Sequence, residues 1–362
     1  MENIPSIAGI IVIGDEYERD VLYGDFDSDD ELYGLGGDDW LAGDTGADLL
    51  DGGDGIDTAF YLNEEGVEVD LATGINHGAE AEGDVLVGIE NLSGSYWGGD
   101  ILRGDAGANL LDGSGGDDQL FGRDGDDTLE GDRNNDLLQG GAGADRLDGG
   151  NGIDTAAYDG EAGVVVDLGA GTGRGGEAEG DTLTGIENLL GTGQEDLLIG
   201  SATGNDLSGR AGDDVLLGEG GNDTLAGGGG RDTLLGGDGG DRLLGGSGQD
   251  VLSGGAGSDA FVYTDPNDAR PAPVPDIITD FSRDEDDHID LSAIDADIGA
   301  AGDQAFAFIG AGAFTGVAGQ LRCQAVGPGI QVEGDIDGDG DADVAILCLS
   351  PGPAPEAGDF VL

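Results

Sequence analysis

The chain has 362 residues, of which 78 are acidic, 12 are basic and 78 are glycine, for a formal net charge of −66. Every basic residue is arginine. This balance excludes a nucleic-acid partner, since phosphate binding needs clustered lysine and arginine, and it leaves too little apolar volume for one large conventional core, so self-repulsion keeps the bare chain expanded.

Residues 1–23 form an N-terminal segment. MENIPSIAGIIVIG carries an early Glu2, no basic stretch and only a short apolar run from Ile7 to Ile13, so it reads as neither a cleaved secretory signal nor a membrane span. The run is expected to cap the coil that follows.

From residue 24 onward the chain is organised by a nine-residue unit, GGxGxDxUx, in which U is apolar. Three units run from Gly34 to Phe60 in a first array (24–60), six from Gly104 to Ala157 in a second (100–157), and seven from Gly200 to Val262 in a third (196–262). GGGGRDTLL, GGDGGDRLL and GGSGQDVLS are consecutive examples. A fixed short period of this composition specifies an all-β fold, a parallel β-roll (β-solenoid) with calcium in its turns. The glycine-rich half turns tightly, because glycine visits positive φ at little cost. The xUx half is a short strand whose central residue points inward while its neighbours point out.

Two units make one coil, so residues eighteen apart stack. The sixth-position aspartates of stacked units then face a shared cation, with loop carbonyls completing the oxygen shell that Ca²⁺ takes. The candidate ligands are Asp39, Asp48 and Asp57 in the first array; Asp118, Asp127, Asp136, Asp145 and Asp154 in the second; and Asp214, Asp223, Asp232, Asp241, Asp250 and Asp259 in the third. Asn109 and Asn205 replace the acid where two arrays begin. Calcium ions on the order of ten are expected, neutralising roughly twenty charges and leaving the particle strongly anionic. Calcium is thus a folding partner, its binding free energy linked to folding. Acidic, lysine-free composition also accompanies adaptation to high salt, but that does not place an acid at every ninth residue.

Two related connectors, 61–99 and 158–195, separate the arrays. The segments starting GIDTAFY at Gly55 and GIDTAAY at Gly152 both contain a VxVDL strand, an AEGD turn and a GIENL strand. They lead straight into the rungs at Asp100 and Asp196, so the coil is expected to continue through them in longer, irregular turns. After Val262 the loop TDPNDARPAPVPD marks a boundary, and 263–362 reads as a C-terminal β-rich domain that continues the roll.

That last segment contains DIITDF, DHIDLSAID, FAFIG, FTGVAGQLR and GDIDGDGDAD. With the nonapeptides, these make the chain resemble an RTX calcium-binding protein whose C-terminal part is similar to the serralysin-type C-terminal domain. The resemblance implies type I secretion in one step from cytoplasm to exterior, guided by an uncleaved C-terminal signal. Asp359-Phe360-Val361-Leu362 matches the ending of that family, an acidic residue followed by apolar ones. The expected location is therefore extracellular or at the cell surface.

Other motifs carry less. Asp335 to Asp343 resembles the start of an EF-hand loop, but its twelfth position is Ile346 rather than a bidentate glutamate, so a polar hairpin turn is expected there. Cys323 and Cys348 fall in predicted strands; in a simple meander they lie two strand spacings apart, roughly 9.5 Å, which favours buried thiols over a disulfide. His77 and His288 are the only histidines, neither lies in HExxH, and no GxSxG elbow is present. No catalytic residue is assigned, and the chain is not expected to be an enzyme. Ile199, Leu217 and Leu235 recur every eighteen residues on the outer face of a predicted sheet, and Tyr23, Tyr33 and Trp40 also take outward strand positions.

These features point to a structural, adhesive or matrix role with self-assembly. The alternative is a calcium-dependent carbohydrate-binding or accessory module of an extracellular polymer-modifying system. Expected partners are the type I secretion machinery, further copies of this chain and an extracellular polysaccharide.

Overall fold

The computed structural model describes residues 9–269, 274–327, 329–349 and 353–362. Its regular structure is β-strand with short 3-10 turns, and no α-helix occurs among the described residues. None of the described helices is long and apolar enough to cross a membrane. The chain divides into two compact units, residues 1–160 with 171–188 and residues 161–170 with 189–362.

In the first unit, three-residue strands that could not stand alone are paired in parallel with strands one coil away. Leu102, Leu120, Leu138 and Ala156 are successive partners along one sheet. Leu111, Leu129, Leu147 and Leu183 are successive partners along the facing sheet. Both ladders keep the eighteen-residue register inside the arrays. The step from Leu147 to Leu183 is longer because a connector is spliced in. In the first connector, Val85–Val87 pairs with Leu49–Asp54 and Asn91–Ser93 pairs with Thr58–Phe60. Ahead of both in the chain, Glu68–Asp70 joins Ile101–Arg103. The connector therefore contributes its own rungs.

The second unit repeats this plan. Leu207, Leu225, Leu243, Phe261 and Ile289 stack along one sheet, and Val166, Leu198, Leu216, Leu234, Leu252 and Ile278 along the other. The U residue of all sixteen nonapeptide units, from Leu41 to Phe261, is 0% exposed. Fourteen of the units thus bury a leucine or phenylalanine side chain, worth roughly 1.5–3 kcal/mol each, and two bury the smaller Ala59 and Ala156. The core is a narrow double file of these side chains, not a globular centre.

Beyond Val262 the register lengthens and strand direction changes. Gln320–Val326, Gly329–Asp335 and Val344–Cys348 form an antiparallel meander, whose last strand pairs in parallel with Asp276–Ile278. Phe360–Val361 docks beside His288–Asp290. Cys323 and Cys348 are on the outer two strands of the meander, buried and free, as their strand separation requires. Burial pushes both thiols up to about 12, so they are inert at neutral pH.

Ile7 and Ala8 lie outside the described residues, while Ile11–Ile13 pairs in parallel with Glu31–Tyr33 as a further rung. Ile11 and Ile13 stay exposed because the alternating pattern turns them outward. On the outer faces, Ile199, Leu217 and Leu235 are in direct register. Tyr23 is exposed and meets the buried Phe60 edge-on at 5.6 Å, with Trp40 also 5.6 Å from Phe60.

In fourteen of the sixteen units the second glycine place takes a left-handed backbone, the exceptions being Asp105 and Ser201 where two arrays begin. Leu35 occupies one such left-handed place with φ of 74° and is 42% exposed. Leu35→Gly is expected to raise stability by about 1 kcal/mol by removing this strain, read as a higher denaturant midpoint at saturating calcium.

Candidate metal centre

Each GGxGxD turn places its aspartate carboxyl under the coil with no freedom to leave. All fourteen sixth-position aspartates predicted as ligands are between 0% and 3% exposed. In every one, Oδ1 accepts a backbone N–H from the preceding coil. Asp118 Oδ1 takes the Asp100 N–H at 2.8 Å, Asp136 takes that of Asp118, and Asp154 that of Asp136, both at 2.8 Å. In the second unit Asp214, Asp232 and Asp250 repeat the chain at 2.8–2.9 Å. The aspartates thus form columns, two per array.

The other oxygen decides the chemistry. In all fourteen aspartates Oδ2 is buried and has no hydrogen-bond partner. A native fold leaves few buried polar atoms unmet, so a repeated orphan marks a missing partner. The space beside it is kept open by the first glycine of the unit. A Cβ at Gly34 would lie 2.3 Å from Asp39 Oδ2 and 2.5 Å from the Gly52 carbonyl oxygen. At Gly122 it would lie 2.3 Å from Asp127 Oδ2 and 2.5 Å from the Gly140 oxygen. A carboxylate oxygen and a stacked carbonyl therefore converge on one glycine-lined hollow, and neither can donate a proton to the other. Such an all-oxygen set fits Ca²⁺. These aspartates and the first-position glycine carbonyls are the groups that would hold the ion, which would supply the positive charge that the column lacks.

The electrostatics agree. Burial is the first cause that pushes Asp118 up to about 8, Asp136 and Asp214 to about 7, and Asp48, Asp57, Asp127, Asp154, Asp223, Asp232, Asp250 and Asp259 to about 6. The donated backbone N–H opposes the rise in each case, and neighbouring carboxylates mostly add to it. Without a cation the column resists ionisation.

The columns are longer than the nonapeptide pattern alone indicates. Asp84 and Asp276 complete two of them, accepting the N–H groups of Asp48 and Asp250 at 3.0 and 2.9 Å, and both keep an orphan Oδ2. Glu90 and Glu187, from the two GIENL strands, close others by accepting the N–H groups of Asp57 and Asp154 at 2.9 Å. Glu90, Glu187 and Asp276 lie 33, 33 and 26 positions beyond their partners, off the interval of eighteen, and Asp84 lies two intervals beyond Asp48 with no acid at the one between. For Asp84, Glu90 and Glu187 the signal is the acid in the repeated AEGD and GIENL segments, and for Asp276 it is the first residue of DIITDF. Asn109 shows the converse: its Nδ2 donates to the Glu90 carbonyl at 2.7 Å, so an amide proton stands where an aspartate would need a cation.

The EF-hand-like stretch forms a hairpin loop between two antiparallel strands. Asp335, Asp337 and Asp343 come together there. Both oxygens of Asp335 are already engaged, by the N–H groups of Gly338 and Gly340.

A family model of the RTX calcium-binding nonapeptide repeat (4 copies) matches residues 26–59, 95–129, 121–156, 199–234 and 235–263. No curated protein matches the chain. Among solved structures, the AlgE6R3 subunit of the Azotobacter vinelandii mannuronan C5-epimerase is similar at 24% identity and a TM-score of 0.27, over 46% of this chain and 78% of that one. The extracellular lipase LipA from Serratia marcescens is similar at 19% identity and a TM-score of 0.19, over 73% of this chain. The match spans 40% of that lipase.

Proposed function

We propose, for this RTX calcium-binding repeat protein, a secreted structural role: the chain leaves the cell unfolded through a type I machine, folds on extracellular calcium and serves as an anionic scaffold in a matrix or at the cell surface. The observation that carries this reading is the column of buried carboxylates with one unmet oxygen each. In a medium poor in calcium the columns repel themselves and the chain stays threadable. Sites of extracellular-type affinity, with Kd roughly 10⁻⁴ to 10⁻³ M, fill only outside. The charge that remains keeps the folded particle soluble and lets divalent ions bridge it to other acidic polymers. The outward line of Ile199, Leu217 and Leu235 offers an apolar contact between copies.

Calcium titration of the metal-free protein, followed by circular dichroism and light scattering together, tests this. A coil-to-β transition near millimolar calcium with growth in particle size is the expected result. The same transition with a monomeric product removes the assembly role and favours a ligand-binding module. No transition overturns calcium-driven folding. In a second test, Leu217→Ser with Leu235→Ser is expected to leave the dichroism transition in place and abolish growth in particle size.

A further inference from the structure

Each array ends on a buried tyrosine in a place the repeat reserves for glycine. Tyr61, Tyr158 and Tyr263 lie eighteen residues after Gly43, Gly140 and Gly245, so each takes the position of the first glycine of a next unit. The backbone keeps to that place. Gly104 N–H donates to the Phe121 carbonyl across the ladder at 2.9 Å, and Tyr61 and Tyr263 donate likewise to Ser93 and Asp290 at 3.1 and 3.0 Å. In an ordinary unit no side chain fits here, because the Oδ2 of the sixth-position aspartate stands against the glycine. After Tyr61 and Tyr158 the sixth place is Gly66 and Gly163. After Tyr263 it is Asp268, whose carboxylate turns to the N–H groups of Thr264 and Asp265. The space is therefore free, and the phenol ring enters it.

The three rings are 1–2% exposed. The Tyr158 hydroxyl is 3.3 Å from Asp181 Oδ2. Asp84 and Asp48 are the carboxylates acting most strongly on Tyr61, and Asp276 and Asp250 are the column carboxylates acting on Tyr263. Each of these pairs is the last stacked pair of its column. The hydroxyls of Tyr61 and Tyr263 have no partner, and neither do the Oδ2 atoms of Asp48, Asp84, Asp250 and Asp276. Three buried oxygens without donors recur at the end of two arrays, and a third array supplies the same residue set.

We propose that Tyr61, Tyr158 and Tyr263 give a phenolic oxygen to the cation held by the last carboxylate pair of each array, making a terminal site of two aspartates and one tyrosine. A neutral phenol suits this place: it offers lone pairs to a cation and directs its proton to a carboxylate. At the array end the next regular GGxGxD turn is missing, and the hydroxyl substitutes for the oxygens that such a turn supplies.

The inference rests on the calcium reading, and the test separates the two. Wild type and Tyr61→Phe/Tyr158→Phe/Tyr263→Phe are titrated with calcium alone, counting bound ions by equilibrium dialysis and recording the tyrosine near-ultraviolet difference spectrum. Phenylalanine keeps the ring and removes the oxygen. The expected result is a tyrosine perturbation on calcium binding in wild type and, in the variant, about tenfold or weaker binding of three ions, with the remaining ions and the β-dichroism retained. Tyr96→Phe, at an exposed ring, should behave as wild type. An unchanged isotherm with higher stability would overturn the inference, because the hydroxyls would then be mere unmet polar groups whose removal is favourable. Absence of bound calcium in wild type would instead overturn the calcium reading. If the triple variant does not fold, Tyr263→Phe alone must weaken one ion, and an unchanged isotherm there overturns the inference equally.

Discussion

Gly236→Ala is expected to break the calcium ladder in the middle of the third array, lowering stability at saturating calcium by about 3 kcal/mol or more and reducing the number of bound ions. The new Cβ would lie 2.2 Å from Asp241 Oδ2 and 2.5 Å from the Gly254 carbonyl oxygen. Both neighbours are fixed. Asp241 is held through its Oδ1 by the Asp223 N–H at 2.9 Å, and Gly254 belongs to the backbone of the next coil. The methyl group therefore displaces two oxygens from the hollow that the ion needs, and the cost combines steric strain with a lost site. Gly240→Ala is the control, since alanine already occupies the same fifth place at Ala47 and Ala144. It should change stability by no more than about 0.5 kcal/mol. Equal effects from the two substitutions, measured by denaturant unfolding and ion counting, would sink the assignment of the hollow as a cation site.

Much of this arrangement is legible in the sequence because one interval, eighteen residues, governs both core and site. Once Leu225 is read as inward, Leu243 follows as its partner; once Asp223 is read as a column member, so does Asp241. Legibility ends where the interval does. Asp84 stacks on Asp48 across thirty-six residues, two intervals with the intermediate rung at Gly66 lacking an acid, and Asp276 stacks on Asp250 across twenty-six, which no multiple of the interval reaches. Backbone requirements are also hidden. Leu35, Arg123 and Glu219 hold φ of 74°, 83° and 71° at places where the pattern calls for glycine, so the coil imposes its turn on residues that would not choose it. The array-closing tyrosines lie in register but read as ordinary core aromatics, since nothing in the sequence shows that their hydroxyls meet carboxylates. An eighteen-residue register finds the repeats, whereas the ends of the arrays have to be seen in three dimensions.

The metal-free roll is expected to become more stable as pH falls from about 8 to about 5, the reverse of ordinary acid denaturation. The sign follows from the direction of the shifts. Burial raises Asp84, Asp118 and Asp276 to about 8, Asp136, Asp181 and Asp214 to about 7, and several others to about 6, against an ordinary value of 3.8. Between 3.8 and those values the folded column holds more protons than the unfolded chain, so stability is lost as pH rises through them. Protons thus do part of the work of calcium by neutralising the columns, but a protonated Oδ2 donates to one acceptor, whereas the cation gathers several oxygens. Calcium must displace them, and its affinity should therefore climb with pH across the same window and level off above about 8. Circular dichroism of the chelated protein at stepped pH should show β-structure gained toward pH 5. Calorimetric titration at pH 5, where the metal-free columns are folded and protonated, in buffers of different ionisation enthalpy should show proton release on calcium binding. Calcium binding without proton release, together with a metal-free form equally unfolded at pH 5 and pH 8, would mean that the carboxylates are solvated rather than stacked, and the column would have to be abandoned as the site.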